Sequence, residues 1–194
     1  MIMITIVLFS VVLVYAGSIV LLIYGLSKVK SFENTGLSPK TKFSIVVPFR
    51  NETENLPILL DSFSKLNYPE DLFEVILVDD FSCEQFQVQS SKFKLTVIKN
   101  VRVSNSPKKD AISTAMQTAE NDWIITTDAD CNYSRKWINT LLSYREKMDA
   151  VFVAAPVQFR KEINLLDRFQ SLDFMALQGI TAAGVSSKYL NMCN

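Results

Sequence analysis

Residues 1–27 carry no charged side chain, and that run constrains the fold more than any other feature of the chain. From Ile2 to Leu26 it is apolar apart from a few Thr, Ser, Tyr and Gly residues. A membrane-spanning helix needs about 20 such residues. A cleaved signal peptide would have a basic start, a shorter apolar core and a clear small-residue cleavage site, and the run has none of these. Lys28 and Lys30 follow at once, while nothing charged precedes them. The positive-inside rule then puts the N-terminus outside and everything after residue 28 in the cytoplasm. The organisation expected is a single transmembrane helix (1–27), a polar linker (28–42) and one cytoplasmic domain (43–194) held at the cell membrane.

After the linker, short apolar runs alternate with helical spacing. Strands are expected at 43–48, 73–78, 95–98, 123–127 and 151–155 from their β-branched and aromatic content. Leu56, Leu59, Leu60, Phe63 and Leu66 recur at helical spacing, and 108–119 and 135–147 carry the same pattern. Phe169 to Gln178 reads as a further amphipathic helix. The alternation indicates βαβ units, hence an α/β fold with a mostly parallel sheet flanked by helices. Ligands of such sheets bind at the carboxyl ends of the strands. Polar clusters at 49–52, 79–82 and 128–132 all fall at such ends.

The chemistry is narrowed by what the composition leaves out. The chain of 194 residues has no histidine, so the usual zinc ligand and the commonest general base are missing. A metal would have to sit on carboxylates, which favours Mg²⁺ or Mn²⁺. Lys plus Arg and Asp plus Glu balance at 20 each, so no basic excess points to nucleic acid. Cys83, Cys131 and Cys193 match no zinc or redox spacing and read as reduced thiols. None of the five glycines falls in a strand-to-helix turn of the sheet, which excludes a Rossmann fingerprint and a Walker loop. Asp128 and Asp130, two residues apart after an expected strand, can converge on one cation. Taken alone, such a pair reads more often as a solvated turn. Asp79 and Asp80 suit hydrogen bonds to a base or ribose, or a cap. Arg50 to Glu52 offers donors and acceptors, or a capping segment. Lys108 and Lys109 precede a helix whose N-terminal dipole favours phosphate, or form a solvated pair.

Four segments in order resemble the family 2 glycosyltransferases with their GT-A fold: FSIVVPFRNE (43–52), EVILVDDFS (74–82), SPKKDA (106–111) and DWIITTDADC (122–131). The resemblance covers about residues 43–160 and implies inverting transfer of a sugar from a nucleotide-diphospho donor, commonly a UDP-sugar. It implies that Pro48, Arg50 and Glu52 line the nucleoside pocket, that Asp79, with Asp80 beside it, contacts the base, and that Lys109 approaches the nucleotide. Asp128 would face the ribose or diphosphate, and Asp130, with Asp128, would bind Mg²⁺ or Mn²⁺. A preceding membrane helix is similar to the processive and lipid-linked branches, implying a lipid-linked or polysaccharide acceptor. The family's acidic catalytic base and its Gln-x-x-Arg-Trp motif are not visible. The expectation is therefore a chain holding the donor half, with the base beyond Asn194; Asp173 is a weaker candidate acid. Residues 124–130 also resemble the nucleophile loop of haloacid-dehalogenase-like phosphatases, with Asp128 as nucleophile. A non-catalytic membrane-tethered fragment is the other alternative.

Overall fold

Strand β1 (Phe43–Phe49) is buried along almost its whole length. That is why a continuous apolar run rather than an alternating one encodes it. It lies between β2 (Phe73–Asp79) and β4 (Trp123–Thr126), with β3 (Lys94–Lys99) outside β2, in the order β3-β2-β1-β4. All three pairings are parallel. The computed structural model describes residues 2–29, 32, 39–83, 92–159 and 163–187. Much of the expected linker (28–42) lies outside the described residues, as does Cys193. Cys83 and Cys131 are free thiols.

Side chains two apart on a strand share a face, and the two faces of this sheet are covered by different helices. Ile45, Val47, Phe49, Val75 and Leu77 pack with Leu56, Leu59 and Phe63 of α2 (Asn55–Ser64) and Ile138 and Leu142 of α4 (Trp137–Met148). Val46, Ile76 and Val78 pack on the other side against Ala111 and Ala115 of α3 (Pro107–Met116). Each fully buried aliphatic side chain here stabilises the fold by about 1.5–3 kcal/mol. The amino end of the sheet is tied by Glu74. It accepts hydrogen bonds from Ser44 Oγ (2.7 Å) and the Glu120 N–H (2.7 Å), with Lys94 Nζ 3.3 Å away. Burial pushes the Glu74 carboxyl up, but these donors outweigh it and hold it below its ordinary pKa.

The expected strand at 151–155 does not form. α4 closes at Met148, Asp149 follows in the left-handed conformation (φ 48°), and Val151 and Phe152 stand 90% and 72% exposed. The run has strand composition, but among the described residues it gains no ladder partner.

The chain divides into two compact units, Glu33–Val153, which holds the sheet, and Met1–Phe32 with Ala154–Asn194. In the latter, α1 (Ile2–Ser27) is long and apolar enough to cross a membrane. Its 26 residues give about 39 Å of helix against a hydrocarbon core of about 30 Å. The expected helix at 169–178 is longer, forming α5 (Leu165–Ser187). α1 and α5 meet through small residues. A Cβ on Gly25 would lie 2.5 Å from the Ala183 carbonyl oxygen, and Ser186 Oγ donates to the Gly25 carbonyl at 2.6 Å. Because the obstructing atom is backbone, Gly25→Leu is expected to part the two helices. Disulfide formation between cysteines introduced at positions 26 and 179, with the native cysteines replaced, checks this. The bond should form readily when position 25 is glycine and several-fold more slowly in the G25L background.

Candidate functional site

From β1 the chain steps outward through β2 to β3, then returns to the other side of β1 for β4. The reversal makes a switch point between β1 and β4, where ligands of open α/β sheets bind at the carboxyl ends. Phe49, Asp79 and Lys99 are level with one another at that edge. β4 stops at Thr126, level with Val46, so residues 127–130 run on toward the same edge.

This last segment is held from below. The Thr127 N–H donates to the Val46 carbonyl (3.1 Å), and its hydroxyl meets the hydroxyl of Tyr133. Tyr133 stacks on Trp137 with ring centroids 3.7 Å apart and on Phe63 at 5.8 Å. Burial pushes the Tyr133 phenol well above its ordinary pKa, so it stays protonated. Ala129 is buried while Asp128 and Asp130 on either side are exposed. The alternation leaves both carboxylates accessible on a fixed turn.

Facing Asp128 is the first turn of α3. Lys108 Nζ lies 2.5 Å from Asp128 Oδ1. The turn is fixed by Asp110, which accepts the N–H groups of Ser104 (2.8 Å) and Val103 (3.0 Å) and the Ser104 hydroxyl (2.9 Å). The Ser104 N–H, with these partners, holds the Asp110 carboxyl below its ordinary pKa. Of the lysine pair it is thus Lys108 that reaches the acidic turn, while Lys109 is exposed beside it.

The adjacent acidic pair splits into two roles. Asp80 is buried and grips Arg102 through both oxygens, Nε to Oδ1 at 2.8 Å and Nη2 to Oδ2 at 2.6 Å. Asn100 Nδ2 donates to Oδ1 at 2.6 Å. Arg102 foremost holds the Asp80 carboxyl below its ordinary pKa. Asp79 is half-buried and accepts the Ser82 N–H at 2.9 Å. Asp80 thus braces β2 to the segment after β3, while Asp79 stays half-buried at the carboxyl end of β2. Arg102 and Asn100 carry no mark in the sequence, since nothing local links a basic residue to a partner 22 positions away.

The remaining candidates sit on the β1–α2 connection. Pro48 is half-buried in β1, Arg50 is exposed, and Glu52 is half-buried three residues before α2. The Glu52 carbonyl accepts the N–H groups of Asn55 and Leu56, and its side chain accepts Asn55 Nδ2 at 2.7 Å. Asn51, at φ 57°, donates its N–H to Ser82 Oγ (2.9 Å) and accepts the Cys83 N–H (2.8 Å). The two loops are therefore one tied surface. The candidate nucleotide-binding and metal residues all lie at or beside this edge of the sheet unit, whereas the candidate acid Asp173 is exposed on α5 in the other unit.

Among the described residues, no three His, Cys, Asp or Glu side chains gather as a ready-made metal cage. Asp128 and Asp130 fit the other mode, in which Mg²⁺ or Mn²⁺ takes one or two carboxylates and completes its shell with water and phosphate oxygens. The phosphatase-like loop normally lies on the first strand of its domain, whereas Asp128 follows the fourth strand of the described residues, so that alternative loses its footing.

Both the sequence and the fold have known relatives. A poly(ribitol-phosphate) β-N-acetylglucosaminyltransferase (TarS) of Staphylococcus aureus is 32% identical over 93 residues, covering 46% of this chain and 16% of the relative. An undecaprenyl-phosphate 4-deoxy-4-formamido-L-arabinose transferase of Yersinia enterocolitica is 33% identical over 114 residues, covering 55% and 34%. A mannosyltransferase of Pyrobaculum calidifontis, solved with GDP-Man and Mn²⁺, superposes with a TM-score of 0.52 at 18% identity, covering 68% and 40%. That likeness establishes a GT-A-like fold and nothing finer. The chain spans less than half the length of each of these proteins. The family model for glycosyl transferase family 2 matches residues 44–185. The chain belongs to glycosyl transferase family 2.

Proposed function

We propose that this chain carries the donor-binding site of an inverting glycosyltransferase that uses a nucleotide-diphospho sugar, with UDP as the preferred carrier. The observation that carries the reading is the exposed pair Asp128 and Asp130 at the switch point, with Lys108 within 2.5 Å of Asp128. Strands lie about 4.8 Å apart, so the ends of β2 and β4 are separated by about 10 Å. A nucleoside diphosphate bridges such a gap, its base near Asp79 and its phosphates near Asp128. Pro48, Arg50 and Glu52 line the nucleoside side, and Lys108 and Lys109 offer cations to the phosphates at a helix N-terminus.

Asp130, with Asp128, would hold Mg²⁺ or Mn²⁺. Bound there, such an ion neutralises charge on the departing diphosphate. The protein's own contribution is to orient the donor from two fixed loops and to place Lys108 where charge accumulates. The acceptor proposed is lipid-linked or polysaccharide, supported by the acceptors named for the two relatives. The membrane placement proposed is a single pass through α1 with the sheet unit on the cytoplasmic side.

Calorimetry on the detergent-solubilised chain tests the reading. UDP with Mn²⁺ should bind with a Kd in the roughly 1 µM to 1 mM range usual for enzyme substrates, and far more weakly with EDTA. Absence of UDP and GDP binding in the presence of Mn²⁺ would reject the donor site.

A further inference from the structure

Phe81 stands in the left-handed region at φ 60°. Asn and Asp tolerate that conformation, but for a bulky side chain it is an outlier that a glycine would occupy without strain. The strain is enforced from both sides. The Asp80 N–H donates to the Phe49 carbonyl at 2.8 Å, the Ser82 N–H to Asp79 at 2.9 Å, and Ser82 Oγ accepts the Asn51 N–H at 2.9 Å. Strained backbone held this firmly clusters at functional positions.

The ring does little for the packing of the fold. It is 57% exposed and belongs to neither hydrophobic cluster of the sheet. The Arg102 guanidinium lies 5.1 Å from the ring centroid. Arg102 is itself clamped by Asp80. The result is an aromatic plane, backed by a cation, displayed two residues from Asp79 at the carboxyl end of β2.

We infer that Phe81 is the stacking surface for the nucleobase of the donor, with Asp79 meeting the base's hydrogen-bonding edge. The inference rests on the nucleotide reading above. An aromatic plane accepts any base, because every base offers a π-face. Phe81 therefore sets affinity for the nucleoside, while discrimination between bases falls to Asp79.

The test is calorimetry with Mn²⁺ on the full chain in detergent, using UDP and inorganic pyrophosphate as separate probes. Phe81→Leu and Phe81→Gly should each weaken UDP binding by about tenfold, with pyrophosphate binding unchanged. Phe81→Tyr should stay within about twofold of wild type. Phe81→Gly should not lower the melting temperature, since it relieves the left-handed strain. Wild-type-like UDP binding by the Leu and Gly variants would overturn the inference alone, and so would equal losses for UDP and pyrophosphate. If the wild-type chain binds neither probe, the nucleotide reading falls and this inference falls with it.

Discussion

Asp130→Ala is expected to weaken Mn²⁺-dependent UDP binding by about 100-fold or more while leaving the fold intact. The size follows from how few ligands the turn offers. Among the described residues no third acidic side chain joins the exposed pair, so losing one removes half the protein's share of the coordination shell. Loss of a mere supporting contact to a metal ligand already costs about 10–100-fold. Asp128→Ala is expected to act similarly and also to release Lys108. That ion pair is exposed on both sides, so breaking it changes stability by no more than about 1 kcal/mol. Both variants should therefore melt within a few degrees of wild type. Calorimetry and a melting curve on the same preparation check both halves: a large binding loss must come with a small stability loss.

Asp80→Ala should show the opposite balance. The carboxylate is buried and satisfies three donors, two from Arg102 and one from Asn100. Truncation leaves the Asn100 amide and a guanidinium without this acceptor, at a cost of about 2–3 kcal/mol. In a domain of this size that lowers Tm by roughly 5–10 °C. Asp80→Asn, which keeps one acceptor oxygen, should lose less. The same group gives a pH signature. The folded-state pKa of Asp80 lies below its unfolded value, so its contribution is fully present above the ordinary carboxylate range and is lost as pH falls through the depressed value. Glu74 and Asp110 act in the same direction. Melting temperature should therefore fall on acidification below the ordinary carboxylate range, less steeply in Asp80→Ala. Thermal melts across an acid pH series check this; a profile unchanged by the substitution would contradict it.

Much of this architecture is legible in the residues alone, and the exceptions have physical causes. The strands at 43–49 and 73–79 are legible because a parallel strand covered on both faces must be apolar throughout. The run at 151–155 has the same composition but pairs with nothing in the described residues, since composition says nothing about a free edge. α5 runs to Ser187, past the expected Gln178, although Gly179 and Gly184 are weak helix formers. Its small residues serve close packing against α1 instead. The acidic residues of the sheet edge are legible from their position after strands. Their separate roles are not, because these depend on Arg102, brought to Asp80 only once β3 lies beside β2. Which lysine reaches Asp128 is likewise a question of helix phase: one residue turns the side chain by about 100°.

If Asp128 and Asp130 hold a divalent cation together with a nucleoside diphosphate, electron paramagnetic resonance of Mn²⁺ shows it most directly, because the sharp signal of the free ion broadens on binding. Titrating the chain into Mn²⁺ should deplete the free signal strongly when UDP is present and weakly when it is absent, and Asp130→Ala should restore the free signal. Depletion that is indifferent to UDP, or equal in wild type and Asp130→Ala, would contradict the shared cation site.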